Sequence, residues 1–99
     1  MKNIVKFKFQ DKEGFLSIVE KEGRFYTLVQ KDTPKVKAIE ESHQLMISTE
    51  LKTPDFKMMD VIVSYDYELI SWVYKRLEEE KNLYFKELND SLCVLEFLK

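Results

Sequence analysis

Both glycines of this 99-residue chain end the same tripeptide, Lys-Glu-Gly, and lie nine residues apart, at Gly14 and Gly23. Apolar and polar side chains alternate around them, which is the period of a half-buried strand. The pattern predicts strands at Ile4–Phe9, Phe15–Val19 and Arg24–Gln30, with turns at Asp11–Gly14 and Glu20–Gly23. Glycine suits such turns because it adopts positive φ without steric cost. We therefore expect a three-stranded antiparallel meander at the start of the chain.

Two helices and further strands follow. A short helix is predicted from Pro34 to about Ser42, followed by a strand at His43–Glu50, a loop at Leu51–Asp55 and a long strand at Phe56–Tyr65. The apolar spacing then changes to three and four, which indicates an amphipathic helix of about four turns, capped by Asp66 or Ser64. Asn89-Asp90 is predicted as a turn before a closing strand at Ser91–Leu98, whereas Lys81–Leu88 suits either a last helical turn or an edge strand.

This order of elements predicts a mainly β fold with two helices. The economical arrangement is a small antiparallel split β-barrel or strongly curled sheet with helices over its openings, because closure hides strand edges from other chains. A flat α+β sandwich is the alternative. The length suits one domain over residues 1–99.

The charge balance and the cysteine count narrow the class of protein. Sixteen Lys and Arg face eighteen Asp and Glu, which argues against a nucleic-acid partner. No apolar run approaches the length that spans a membrane. Cys93 is the single cysteine, so it forms no intramolecular disulfide, and a reducing compartment is the simpler inference. We expect a cytoplasmic protein without membrane contact.

The segment Thr33–Lys37, Thr-Pro-Lys-Val-Lys, has the features of a helix start that could bind an anion. Threonine can cap a helix, and proline suits the first helical position. The unpaired N–H groups and the positive end of the helix dipole would then lie beside the ammonium groups of Lys35 and Lys37. The alternative is that both lysines are solvated surface residues, as most lysines are.

The remaining reactive side chains favour structural roles. His43 is the single histidine and has no evident nucleophile or metal partner, so a structural or exposed role is expected. Cys93 lies in an apolar strand and is expected to be a small buried hydrophobe. Trp72 suits core packing, and the Tyr84-Phe85 pair suits an interface. Three carboxylate clusters are expected on solvated surfaces, at Asp11-Glu13, Glu40-Glu41 and Glu78–Glu80. No metal-ligand spacing or nucleophile–histidine motif is present, so no catalytic residue is assigned.

Three segments together resemble the core of the pyridoxamine-phosphate-oxidase-like flavin-binding split barrels. They are Glu22–Thr27, which ends in an aromatic residue and threonine, the helix start Thr33–Ile39, and the strand Leu45–Ser48. The later part of the chain is also similar, with a long strand, a helix containing Trp and Leu, and a final apolar strand. The resemblance covers essentially the whole chain through short motifs.

This resemblance implies a homodimer that binds FMN, or another phosphate-bearing small molecule, in a cleft between subunits. By position, Thr27, Lys35 and Lys37 match residues that hold the flavin phosphate, and Arg24 is a weaker match. An FMN-dependent oxidoreductase is the implied activity, with the cofactor carrying the electron chemistry.

Two departures from the family pattern favour a second hypothesis. The arginine that often supports the phosphate is missing from Phe15–Val19, and Glu41–His43 replaces an Asn-Pro pair. The alternative is therefore a degenerate barrel without cofactor, acting as a dimeric binding or interaction module.

Overall fold

A computed structural model of the protein describes residues 4–50, 52–80 and 91–98. The elements in this part of the chain are strands β1 (Ile4–Phe9), β2 (Lys12–Ser17), β3 (Val19–Lys21), β4 (Arg24–Gln30), β5 (Gln44–Ser48), β6 (Lys57–Ser64) and β7 (Leu92–Leu98), and helices α1 (Pro34–Ser42) and α2 (Tyr67–Glu79). The mainly β fold with two helices is confirmed. The predictions for Lys81–Leu88, Tyr84-Phe85 and Asn89-Asp90 lie outside the described residues.

The seven strands form one antiparallel sheet in the order β2-β1-β5-β6-β7-β4-β3. Its two edge strands, β2 and β3, are consecutive in the chain and are separated by Ile18 alone. The two edges must therefore lie beside each other, which curls the sheet into a half-barrel. This curled sheet confirms the barrel-like prediction over the flat sandwich.

The predicted three-stranded meander is wrong at its middle strand. β2 pairs with β1, and β3 pairs with β4, so the chain forms two hairpins on opposite edges of the sheet. The strand breaks at Ile18, which belongs to neither hairpin. Two hairpins have the same sequence pattern as a meander, because alternation does not show which strand pairs with which.

The two glycines have different roles. Gly23 lies in a two-residue turn with φ of 82° after Glu22 with φ of 53°, as in a type I′ hairpin. The prediction for Gly14 is wrong, because the first turn is Gln10-Asp11 and Gly14 lies within β2 opposite Phe7. A Cβ at Gly14 would lie 2.8 Å from Cε1 of the Phe7 ring. Gly14 therefore provides space for that ring instead of forming a turn.

Helix α1 has well-defined ends. The Thr33 hydroxyl accepts a hydrogen bond from the Val36 N–H at 3.3 Å, which confirms the predicted cap. At the other end His43 has φ of 58°, and its N–H donates to the Ile39 carbonyl at 2.7 Å. The His43 carbonyl also accepts from the Val61 N–H at 2.8 Å. His43 is thus an exposed residue that ends the helix, as its structural interpretation predicted.

The sheet buries side chains on both faces. The concave face packs against Val36 and Ile39 of α1, and its cluster includes Val5, Leu16, Val29, Ile47, Val61 and Leu95. Helix α2, capped by Asp66, covers the convex face of β4 and β7 with its buried residues Ile70, Val73 and Leu77. Trp72 is partly buried at the border of that second cluster, with its ring edge-on to Tyr26 at 5.8 Å. Neither of the helices in the described residues has the length and apolar character needed to cross a membrane.

Cys93 is confirmed as a buried residue of the concave face, with 0% of its surface exposed. Burial, followed by the charge of Glu40, raises the pKa of its thiol to about 11. A thiolate is therefore a minor species at neutral pH, which agrees with the role of a small hydrophobe.

Candidate functional site

The half-barrel is open where β2 and β4 separate. β3 pairs with β4 only as far as Tyr26, so within the described ranges Thr27–Gln30 has no strand partner on the side away from β7. A cleft of about 410 Å³ lies there, and we call it the β2–β4 cleft. It is lined by Phe7, Gly14, Phe15, Leu16, Ser17, Thr27, Leu28, Val29, Gln30, Thr33, Lys35 and Leu77.

One buried hydrogen bond fixes the end at which the two strands meet. The Thr27 hydroxyl donates to the Ser17 carbonyl at 2.5 Å, and Thr27 is only 1% exposed. The bond spans the gap between β4 and β2 directly beside the Val19–Tyr26 pair. Thr27 therefore has a structural function in addition to lining the cleft.

The Ser17 side chain lines the cleft with unused hydrogen-bonding capacity. Ser17 is 3% exposed, and its hydroxyl has no hydrogen-bond partner in the described part of the chain. Leaving a buried polar group unsatisfied costs about 1–3 kcal/mol. The hydroxyl oxygen is itself buried, so a ligand oxygen would use this capacity only after the serine side chain turns toward the cleft.

Lys35 provides the positive charge of the cleft. Its side chain is half-buried, and its Nζ lies 4.2 Å from the centroid of the Phe7 ring. Burial lowers the pKa of Lys35, while the nearby Cys93 thiol raises it by a smaller amount. No carboxylate of the described residues forms an ion pair with it. The charge is therefore available to an anionic ligand.

Three features place this ammonium group. α1 begins beside the cleft because Thr33 both caps the helix and donates to the Gln30 carbonyl at 3.3 Å. The first turn of the helix contains no acidic residue that could pair with Lys35. The Phe7 ring can lie below Lys35 because Gly14 leaves room for it.

Of the four predicted cofactor-binding residues, the structure brings two together. Thr27 and Lys35 line the same cleft. Lys37 is exposed and does not line it, because two helical residues turn the side chain by about 200°. Arg24 lies toward the other end of β4, about 10 Å from Thr27 along the strand, and pairs with Glu96 at 3.0 Å.

Sequence reasoning missed Ser17 and Phe7 as residues of the site. Ser17 is the single polar residue in the apolar run Phe15–Val19, and that interruption was a usable signal. Phe7 was assigned only to a strand, since its position below Lys35 depends on the pairing with Gly14. The role of Phe7 therefore does not follow from local sequence, and that of Ser17 follows from it only in part.

The architecture belongs to the class of curled antiparallel half-barrels, open at a seam between two strands. The chain is similar in fold to a protein from Listeria innocua that is described as a putative pyridoxamine 5'-phosphate oxidase and whose crystal structure is known. The TM-score is 0.66, with 12% sequence identity, over 99% of this chain and 83% of that one. No family model and no curated protein sequence matches the chain. The predicted likeness to pyridoxamine-phosphate-oxidase-like split barrels is therefore supported at the level of the fold.

Proposed function

We propose that the protein binds FMN, or a closely related phosphate-bearing flavin, in the β2–β4 cleft. The observation that carries the proposal is the pairing, in one cleft, of an ammonium group without a carboxylate partner and a buried hydroxyl without a hydrogen-bond partner. These groups belong to Lys35 and Ser17. Both suit phosphate, whose oxygens accept hydrogen bonds and carry negative charge.

The walls of the cleft also suit a ligand with a flat apolar part. Phe15, Leu16, Leu28 and Leu77 line it beside the polar groups. The Phe15 side chain is 51% exposed. A bound ring system would cover it, and aromatic side chains contribute most to binding energy when they are buried. The volume of about 410 Å³ is within the range of about 300–1,000 Å³ that is usual for ligand sites.

In this proposal Lys35 binds the phosphate, and the Thr27–Ser17 pair closes the inner end of the cleft. Lys37 and Arg24 contribute only charge from outside the cleft. Bound FMN would supply hydride-transfer chemistry, which makes an oxidoreductase the corresponding activity. Lys35 is the one ionisable side chain among the described residues that line the cleft. We therefore assign no general acid or base.

FMN titration, followed by flavin fluorescence, tests this proposal. Wild-type protein should bind saturably, and Lys35→Gln should weaken binding at least about tenfold, since a hydrogen bond to a charged group contributes about 1.5–3 kcal/mol. Lys37→Gln is the matched control on the same helix and should change the affinity less than about threefold. Absence of binding to the wild-type protein, or equal losses in both variants, would contradict the proposal.

A separate observation bears on the homodimer, which the flavin-binding hypothesis and the alternative of an interaction module without cofactor both expect. Helix α2 covers the convex face of β4 and β7, whereas the convex face of β5 and β6 exposes Met58 and Ile62, at 56% and 44%. Met58 pairs with Met46 of β5, which extends the apolar surface across two strands. We propose that this surface forms a homodimer, with or without a bound flavin.

Sedimentation velocity over a range of concentrations tests the dimer. Wild-type protein should associate as its concentration rises, and the double variant Met58→Lys with Ile62→Lys should remain monomeric. Tyr67→Lys replaces another exposed apolar side chain, 65% exposed on α2, and should leave association unchanged. A wild-type monomer at every concentration would rule out this interface.

A further inference from the structure

A second and larger cavity lies within the curled sheet and shares no lining residue with the β2–β4 cleft. Its volume is about 570 Å³, and we call it the lumen pocket. Seven apolar residues from five strands and the Ile18 break line it, namely Ile4, Val5, Ile18, Phe25, Ile47, Met59 and Phe97. Its size and apolar lining are those of a small-molecule site.

Polar groups are confined to one side of the lumen pocket. They belong to the connection between β5 and β6 and are Thr49, Glu50, Lys52 and Thr53, all of them exposed. The pocket is therefore amphipathic, with an apolar interior and a polar mouth. A matching ligand has an apolar body and one polar end.

The backbone at the mouth is held by Ser48, which is 2% exposed. Its hydroxyl donates to the Glu50 carbonyl at 3.0 Å and accepts from the N–H groups of Glu50 and Asp55 at 3.1 and 3.0 Å. Three bonds to one buried hydroxyl fix both ends of this connection relative to β5. The polar residues thus have a defined place beside the apolar cavity.

The composition of the mouth indicates the charge of the ligand. Thr49, Thr53 and Lys52 offer hydrogen-bond donors, whereas Glu50 offers only acceptors. No ion pair joins Lys52 to Glu50 or to another carboxylate of the described residues. The ammonium group of Lys52 and the two threonine hydroxyls at the same mouth suit a ligand whose polar end accepts hydrogen bonds and carries negative charge.

We propose that the lumen pocket binds an aliphatic carboxylate, with its chain between the apolar walls and its carboxylate beside Lys52. The inference does not depend on FMN binding, because the two cavities have different residues. Lys52 suits this role since an ammonium group on a flexible stem can follow a ligand head group at the surface. Glu50 opposes the same charge, which makes the two residues a matched pair for a test.

The experiment is isothermal titration of the purified protein with decanoate and, separately, with 1-decanol, both below the concentrations at which they aggregate. Wild-type protein should bind one decanoate per chain and bind the alcohol more weakly. Lys52→Gln should weaken decanoate binding about threefold and leave the alcohol unaffected, as expected for a solvent-exposed charge pair. Glu50→Gln should strengthen decanoate binding.

A blocking variant tests the location of the ligand. Ile4→Trp places an indole at a partly buried position in the pocket and should weaken binding of both probes at least about tenfold, because their chains lose apolar burial. Tyr67→Trp adds the same group at an exposed position of α2, outside both cavities, and should have no effect. Thermal melts of both variants establish that they are folded.

Four results would overturn the proposal. They are no saturable binding of decanoate, equal affinity for acid and alcohol, an Ile4→Trp variant that is folded and binds normally, and decanoate affinity that falls as protein concentration rises. The last result would show that a second copy of the chain occupies the pocket. None of them bears on FMN titration, so the two proposals can fail separately.

Discussion

Gly14, Phe7 and Lys35 form a stack of three residues in which each position depends on the one below it. The missing side chain of Gly14 leaves room for the Phe7 ring, and the ring lies below the Lys35 ammonium group at 4.2 Å. Cation–π contacts of this kind contribute about 0.5–2 kcal/mol, depending on exposure. The position of the Lys35 charge in the cleft therefore depends on the Phe7 ring. That ring belongs to β1, a strand whose sequence shows no binding motif.

Gly14→Ala should destabilise the protein by about 1–3 kcal/mol, because the new methyl group overlaps the Phe7 ring. Phe7→Leu in the same chain should recover part of that loss, as expected for residues in contact. Gly23→Ala should also destabilise, by about 1–2 kcal/mol, since its φ of 82° is unfavourable for alanine. Phe7→Leu should not rescue it. Urea denaturation of the single and double variants measures these differences, and equal rescue of both glycine variants would contradict the stack.

The lowered pKa of Lys35 predicts how anion binding depends on pH. Lysine must be protonated to attract phosphate, so the affinity is fully present below the pKa of Lys35 and is lost as the pH rises through it. Because burial moves that pKa below 10.5, the loss should begin at a lower pH than for an exposed lysine. Titration with inorganic phosphate from pH 8 upwards measures the profile, and Lys35→Gln should give a flat one. Wild-type affinity that stays constant to pH 10.5 would exclude Lys35 as the binding group.

At the scale of single elements, the residues at the two ends of helix α1 determine where it begins and where it ends. Thr33 caps its first turn, and His43 ends it in a left-handed backbone conformation that glycine adopts more easily. The sequence predicted both limits of this helix, because capping depends on neighbours within a few residues. The cap of α2 at Asp66 was predictable for the same reason.

Two substitutions at the ends of α1 should have opposite effects on stability. Thr33→Ala should lower the free energy of unfolding by about 1 kcal/mol through loss of the cap. His43→Gly should raise it by up to about 1 kcal/mol, because glycine removes the strain of a positive φ. Thermal denaturation of both variants provides the comparison. Loss of stability in His43→Gly would show that the imidazole makes a contribution beyond the backbone.

The pairing of strands could not be predicted in the same way. Alternation placed β1, β4, β6 and β7 within a residue or two, but it does not report partners, so the break at Ile18 and the β2–β4 cleft were missed. The same limit applies to the site. Lys35 and Thr27 were found through local motifs, whereas Ser17 joins them only because the sheet curls.

At the scale of the whole molecule, a hydrogen bond stabilises the curl of the sheet at the point where its two edge strands meet. The Thr27 hydroxyl holds the Ser17 carbonyl there, while the Ser17 hydroxyl beside it has no partner among the described residues. One serine thus takes part both in the closure of the half-barrel and in the proposed ligand site.

Thr27→Val and Ser17→Ala should separate these two roles. Thr27→Val keeps the shape of the side chain but leaves the buried Ser17 carbonyl without its donor, so a loss of about 1–3 kcal/mol is expected. Ser17→Ala removes an unsatisfied hydroxyl and should leave stability unchanged or raise it, while weakening FMN binding. Chemical denaturation and FMN titration of both variants measure the two effects. A strongly destabilised Ser17→Ala protein would show that its hydroxyl is already satisfied in the fold.

The adjacency of the two edge strands in the chain also bears on how the protein folds. Each edge strand is one arm of a tight hairpin. The hydrogen bond that joins β2 to β4 therefore connects residues only ten positions apart in the sequence, Ser17 and Thr27. The interior pairing of β4 with β7 joins residues as far apart as Arg24 and Glu96, a separation of 72. Contacts between distant residues carry a larger loop-closure entropy and form more slowly. We therefore expect the contact between β2 and β4 to form early and the pairing of β7 with β4 to limit the folding rate.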